Sequence, residues 1–167
     1  MDATAPDPVR AYLDGTAQRL QADGCEVRTE DWNGLPVLVG YRADFRLQWM
    51  ATKLHLFTLA APAPLVTARA IEEFTISALD YVVARKGQLR GMQSGVAVFP
   101  ALVGSQVEPA AVDWAQRRQV VRFAAMARPV VVDAGTGTAA CFRGFAALGL
   151  FYSAHFRRKL AAYFPSS

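Results

Sequence analysis

The sequence predicts one α+β domain in which helices pack on an antiparallel sheet. Three observations predict this class: apolar residues recur at helical spacing in several segments, strand-like segments alternate between apolar and polar residues, and turn residues join neighbouring strands. The 167 residues are the usual size of one domain, and 53% of them are hydrophobic, which is enough to build a core. We therefore expect residues 7–167 to form a single domain after a flexible tail at residues 1–6.

The first part of the chain predicts one helix followed by three strands. An Asp-Pro pair at the start and a glycine at the end favour a helix at residues 8–23. Alternating segments at 25–32 and 35–41 flank Asn33-Gly34, which is the strongest short signal for a β-hairpin. A third strand is expected within residues 50–60, before two prolines that cannot donate to a strand ladder.

The rest of the chain predicts three helices and further strands. The expected elements are a helix at 68–86, a strand at 94–103, a short helix at 109–118, strand-like sequence at 120–133 with a break at Pro129, a strand at 138–142 and a last helix at 145–163. The predicted order is therefore α-βββ-α-β-α-ββ-α. Strands that are joined by tight turns must be antiparallel, and the helices then pack on the sheet.

This order of elements resembles the layout of the type III secretion chaperone-like proteins, including the YbjN-like group. Those proteins run helix, three-strand meander, helix, two strands, helix. The likeness covers most of the chain, but it is a likeness in the order of elements. No motif specific to that family is found at Asn33-Gly34, at residues 71–83 or at residues 129–133. The extra helix at 109–118 departs from the pattern. The resemblance implies a dimeric bacterial binding module without catalysis.

Charge is distributed unevenly along the chain, whose net charge is +4. Residues 1–31 carry seven acids and three arginines, whereas residues 115–167 carry eight bases and one acid. A basic half of this kind can attract nucleic acid, anionic lipid or an acidic protein. It is equally typical of a solvated arginine-rich surface, which is the interpretation that we favour.

The cysteines and the apolar stretches indicate a cytoplasmic protein. Cys25 and Cys141 do not have the spacing of a metal or redox motif, and we expect two buried free thiols. The start of the chain lacks the features of a signal peptide. We expect no transmembrane segment, because a membrane-spanning helix needs about 20 apolar residues and no stretch here reaches that length.

Two glycine-rich segments invite comparison with phosphate-binding loops. Residues 130–138 resemble the phosphate-binding hairpin of actin-like ATPases, but only 34 residues follow Asp133, too few for the rest of that fold. Gly87, Gly91 and Gly95 follow a helix and precede a strand. A phosphate loop has the reverse context, because the helix N-terminus must face the anion. We therefore expect no bound cofactor.

The acidic residues and histidines do not form a catalytic or metal motif either. Glu73 and Asp80 share one face of the helix at 68–86, where Arg69 is placed to form an ion pair, so a solvated face is the favoured interpretation. His55 and His155 have no cysteine, serine or carboxylate at a motif spacing, and we expect both to be structural. The sequence thus nominates no catalytic residue and no metal ligand.

The last predicted helix is apolar on most of its sides, so it must be buried on most sides. Burial inside the fold, in a dimer or on a membrane surface would satisfy this need. We favour the fold or a dimer, because Gly149 suits a close approach of two backbones. The candidate interaction surface consists of Leu150, Phe151, Arg157, Arg158, Lys159 and Phe164.

The leading hypothesis is a non-enzymatic, chaperone-like protein-interaction module that self-associates as a homodimer and has room for a further protein partner. Two alternatives stay open: a small enzyme whose site is assembled from distant residues, and a binder of an anionic polymer or membrane surface through the basic C-terminal half. Nucleic acid is a less favoured partner, because no recognition-helix signature accompanies the basic residues. The sequence names no ligand, partner or source organism.

Overall fold

The computed structural model of the protein describes residues 7–45, 53–86, 94–146 and 150–166. The helices in this part of the chain are α1 (Pro8–Ala22), α2 (Ala68–Lys86), α3 (Pro109–Arg117) and α4 (Ser153–Tyr163). The strands are β1 (Glu26–Trp32), β2 (Leu35–Phe45), β3 (Lys53–Pro62), β4 (Leu65–Val66), β5 (Ser94–Gly104), β6 (Gln106–Val107), β7 (Val120–Arg122), β8 (Ala125–Ala127), β9 (Val130–Asp133) and β10 (Thr138–Cys141). The predicted tail at residues 1–6 lies outside the described residues.

Eight of the described strands form one mixed sheet. Its β1–β2–β3 meander is antiparallel, whereas β5 lies parallel to β3 because α2 crosses the sheet between them. The sheet divides beyond β5: β8 pairs with residues 96–98 of β5, and β9 pairs with residues 101–104. The strands β7 and β10 then add antiparallel to β8 and β9. The short strands β4 and β6 form a separate pair.

The predicted α+β class with a mostly antiparallel sheet is confirmed. Asn33 and Gly34 make the expected hairpin turn, and both have positive φ. Gly24 follows the end of α1 and has a φ of 82°. The structure adds parallel pairs at the centre of the sheet, which local turn signals do not reveal. It also divides the predicted strand at 120–133 into three, with a turn at Phe123 and a break at Pro129.

The core lies on both faces of this sheet. On one face α1 and α4 cover a cluster that includes Leu20, Phe99 and Phe156. On the other face α2 and α3 cover a cluster that includes Phe74 and Ala115. Phe74 is 7% exposed, so the predicted inward face of α2 is confirmed.

The last helix is shorter than predicted. The structure has a 3₁₀ turn at Leu150–Tyr152 and α4 begins only at Ser153. Residues 145–146 are irregular, and residues 147–149 lie outside the described part. Apolar periodicity overestimated the helix because the same spacing of buried side chains continues through the 3₁₀ turn, in which Tyr152 is buried. The described part of α4 is also amphipathic, with exposed arginines opposite its buried face.

None of the helices in residues 7–45, 53–86, 94–146 and 150–166 has both the length and the apolar character that crossing a bilayer requires.

Candidate functional site

Four of the six predicted surface residues are exposed. Leu150 is 52% exposed and Phe151 is 63% exposed, both in the 3₁₀ turn that leads into α4. Arg157 and Arg158 lie on the exposed side of α4. These four side chains are therefore accessible at the start of α4 and along its outer side.

The other two residues do not belong to that surface. Phe164 is 0% exposed and packs in the cluster beneath α1 and α4. The prediction that it adds to the outer surface is wrong, because the chain ends the helix at this residue and turns the ring into the core. Lys159 is half-buried, and its Nζ lies 2.6 Å from Oδ2 of Asp23. The ammonium group of Lys159 is thus paired with a carboxylate of the same fold.

Three exposed large apolar side chains, Phe145, Leu150 and Phe151, lie just before α4, and others, including Phe123 at 69% exposed, lie elsewhere. Phe145 is 60% exposed, and the guanidinium carbon of Arg157 lies 4.5 Å from the centre of its ring. This contact places Phe145 beside the exposed side of α4. Leu150 and Phe151 lie in the turn that precedes this helix. We call these three residues, Phe145, Leu150 and Phe151, the exposed apolar surface. Phe145 was predicted to lie on a helical stripe, and only the structure shows that it is exposed.

A charged cluster joins α1, β2 and α4; it consists of Asp23, Arg42, Asp44, His155 and Lys159. The guanidinium of Arg42 lies 2.7 Å from Oδ2 of Asp23 and 2.5 Å from Oδ1 of Asp44. His155 Nε2 lies 3.1 Å from Oδ2 of Asp44. Lys159 follows His155 by one helical turn, so both reach the same group of carboxylates.

Positive neighbours keep both carboxylates of the cluster ionised. Partial burial by itself would raise the pKa of Asp23, but hydrogen bonds from Lys159 and Tyr163 and the nearby positive charges hold that pKa below its ordinary value. Burial would likewise raise the pKa of Asp44, but the hydrogen bond and the positive charge of Arg42 outweigh burial and lower that pKa. Burial and the hydrogen bond that its hydroxyl donates to Asp23 raise the pKa of Tyr163.

The cysteines offer no activated nucleophile. Cys141 is buried and Cys25 is half-buried, and both are free thiols. The prediction of buried free thiols is therefore confirmed for Cys141 and only partly met by Cys25. Burial is the main cause that raises the pKa of each thiol. Because the thiolate is the reactive form, these two side chains are poorly suited to attack a substrate at neutral pH.

Both histidines are buried, as expected for structural residues. His55 is 4% exposed, its Nδ1 lies 2.8 Å from the hydroxyl of Tyr41, and burial lowers its pKa. His155 is 2% exposed beside Asp44. A pair of histidine and aspartate from distant positions is the kind of geometry that an assembled enzyme site needs. Here the histidine is closed to solvent and the carboxylate is shared with Arg42, so the pair is suited to holding α4 on the sheet.

The acidic residues of α2 form surface ion pairs. Arg69 Nε donates to Glu73 Oε1 at 2.8 Å, as the spacing predicted, and Arg122 lies 3.5 Å from Asp80. In the described part of the chain, no group of three histidine, cysteine or acidic side chains could hold a metal ion.

A cleft lies on the opposite side of the sheet from α4. It has a volume of about 730 Å³ between α2, α3 and β7. Ile76, Trp114 and Val121 supply apolar lining, and Arg117 and Glu72 supply charges. Its lining is therefore mixed in character.

The turn that follows Asp133 is closed by the carboxylate of that residue. Asp133 Oδ1 accepts hydrogen bonds from the backbone N–H groups of Gly135 at 2.9 Å and Thr136 at 3.3 Å, so the carboxylate stabilises its own turn. Gly95 lies within β5, whereas Gly87 and Gly91 lie outside the described residues.

The basic residues of the C-terminal half are divided between two faces. Arg117 and Arg118 lie at the end of α3, on the face that α2 also covers. Arg157 and Arg158 lie on α4, which covers the other face. A single basic patch is therefore not assembled from these four side chains.

The fold and these sites define an α+β protein with three exposed large apolar side chains just before α4. A comparison with the models of known protein families found no match for this chain, and a comparison with curated protein sequences found none either. The function is therefore inferred from the geometry.

Proposed function

We propose that this protein is a non-enzymatic protein-interaction module that forms a homodimer through the exposed apolar surface and the outer side of α4. The observation that carries the proposal is the exposure of Phe145, Leu150 and Phe151 by 60%, 52% and 63%. Removing apolar surface from water lowers the free energy by roughly 25 cal/mol for each Å² that is buried. Contiguous exposed apolar area on a folded protein typically marks an interaction site.

The composition of this surface supports the proposal. Aromatic residues and arginine are enriched at protein interfaces, and here Arg157 lies against the ring of Phe145. Ala154 and Ala161 are exposed two turns apart on α4, and their small side chains leave room for a second helix. A two-fold dimer uses the same surface on both subunits, so a single self-complementary surface is sufficient.

The proposal extends to a chaperone-like role in the bacterial cytoplasm. The predicted order of elements resembles that of type III secretion chaperone-like proteins, which implies a dimeric binding module. The two thiols are free, which agrees with a reducing compartment. In this role the dimer would present its remaining surface, including the cleft between α2 and α3, to a protein partner.

Light scattering on the full chain tests the homodimer. We expect the wild-type protein to have the mass of a dimer and Phe151→Asp to have the mass of a monomer, because a charge cannot be buried unpaired in an apolar interface. Ile76→Asp is the matched control: Ile76 is also exposed, at 41%, but lies on α2 at the other face. This variant should remain dimeric. A monomeric wild type at high protein concentration, or an equal loss in both variants, would refute the proposal.

A further inference from the structure

Arg128 is the most deeply buried charged side chain among the described residues. It is 1% exposed and lies between β8 and β9, where the sheet divides. Its backbone N–H donates to the carbonyl of Val98 at 3.0 Å, which fixes the backbone at the division. The side chain extends from there to the start of α4, where it reaches Ser153.

Neutral groups surround the guanidinium. Nε donates to Gln119 Oε1 and Nη2 donates to Ser153 Oγ, both at 3.1 Å. The rings of Phe142 and Phe156 lie 5.0 and 5.1 Å from the guanidinium carbon. The third nitrogen, Nη1, is buried and has no hydrogen-bond partner within the described part of the chain. The edge of the guanidinium that carries Nη1 therefore donates no hydrogen bond within the described residues.

The surroundings add positive potential where a buried cation needs negative charge. Within the described residues no carboxylate lies within 4.0 Å of Arg128. Burial is the main cause that lowers its pKa to about 10; the Cys141 thiol opposes this shift and Arg157 adds to it. The guanidinium is still charged at neutral pH. Ser153 is the first residue of α4, whose dipole is positive at this end.

This environment contrasts with that of the charged cluster. There Arg42 has two carboxylates within 2.7 Å, so its charge is compensated. An uncompensated buried cation is strongly unfavourable, and a charged guanidinium pairs best with an oxyanion in its own plane. Phe142 and Phe156 lie beside the guanidinium, and the edge that carries Nη1 is left for the anion.

We propose that Arg128 is the centre of a binding site for a small oxyanion, a phosphate or a carboxylate, which is held by Nη1 at the positive end of α4. Phe142 is half-buried and lies outside the helices and strands. Because Nη1 is buried, the proposal requires this ring to move aside when the anion enters. The site goes beyond dimerisation and does not depend on it.

Thermal denaturation of the full chain tests the site, with inorganic phosphate and acetate added separately at constant ionic strength. We expect at least one anion to raise the Tm of the wild type saturably, since a ligand that binds only the folded state stabilises it. A response to phosphate alone assigns the site to phosphoryl compounds, a response to acetate alone assigns it to carboxylates, and both responses assign it to oxyanions generally. No saturable response to either anion would overturn the proposal.

Two arginine variants separate specific binding from a general salt effect. Arg128→Met should weaken the anion affinity about tenfold or more, because a charge-assisted hydrogen bond is lost. The stability of this variant without the anion is measured alongside, because Gln119 and Ser153 lose a hydrogen-bond donor while an uncompensated charge is removed. Arg10→Met, which changes an exposed arginine on α1, should respond as the wild type does. An equal response in all three proteins would overturn the proposal.

If Arg128→Met does not fold, isothermal titration of the wild type and of Arg128→Lys decides the question. Lysine keeps the charge and loses the planar donor edge, so we expect about tenfold weaker binding. Equal affinities in the two proteins would contradict a site built on that edge.

Discussion

Phe74 and Glu73 are neighbours on α2 that have opposite surroundings. Phe74 is 7% exposed, and the centre of its ring lies 6.0 Å from that of Trp32. The side chain of Glu73 is 63% exposed and accepts a hydrogen bond from Arg69, whose side chain is 86% exposed. At the scale of single residues, burial therefore distinguishes a core contact from a solvated ion pair.

Substitution by alanine should separate these two roles. Phe74→Ala removes a large apolar group and leaves a cavity, so we expect the free energy of unfolding to fall by about 3–5 kcal/mol. Glu73→Ala should change it by no more than roughly 0.5 kcal/mol, because an exposed ion pair contributes little. Urea denaturation measures both values. If Phe74→Ala were harmless, the contacts that hold α2 on the sheet would have to be reassigned.

At the scale of elements, the charged cluster fastens α4 to α1 and β2. Lys159 reaches Asp23 at the end of α1, and His155 reaches Asp44 on β2. Nearby positive charges hold the pKa of both aspartates below the ordinary value of 3.8, although burial opposes this. Each aspartate therefore stabilises the fold fully above about pH 4, and this contribution is lost as the pH falls through the lowered pKa.

Asp44→Asn should change the acid sensitivity of the protein. We expect the free energy of unfolding at neutral pH to fall by roughly 1–3 kcal/mol, because Arg42 and His155 lose a charged partner. The further decline below about pH 4 should be shallower than in the wild type, since one ionised carboxylate is missing. Denaturation between pH 7 and pH 2 measures this, with Glu73→Gln as a surface control. An unchanged decline in Asp44→Asn would show that this carboxylate does not contribute.

At the scale of the whole molecule, the two faces of the sheet separate the basic residues. Arg117 and Arg118 belong to the α2–α3 face, and Arg157 and Arg158 belong to the α1–α4 face. Affinity for nucleic acid grows with the number of phosphates that are neutralised together. The arrangement therefore favours the solvated-surface interpretation of the net charge of +4.

A gel-shift assay with random DNA and RNA at physiological salt tests that interpretation. We expect no tight complex, and we expect Arg157→Ala to behave as the wild type does. Tight binding that weakens steeply with added salt would instead establish a nucleic-acid surface on this protein.

The sequence by itself determined the features that depend on local signals. The turn at Asn33-Gly34, the extent of α2 and the inward position of Phe74 follow from turn chemistry and helical period. The ion pair of Arg69 with Glu73 also follows, because the two side chains are one helical turn apart. In each case the interacting residues are close in the sequence, so their spacing carries the information.

The tertiary structure alone decided the sites. Asp44 and His155 are 111 positions apart, and Arg128 and Ser153 are 25 apart, so no spacing indicates that they meet. The burial of Phe164 and the exposure of Phe145 were equally hidden, because apolar residues show only that some surface is to be buried. Which surface is buried depends on how α4 packs against α1 and the sheet. The physical reason is that burial and charge pairing depend on distance in space, whereas the signals of a sequence act over a few residues.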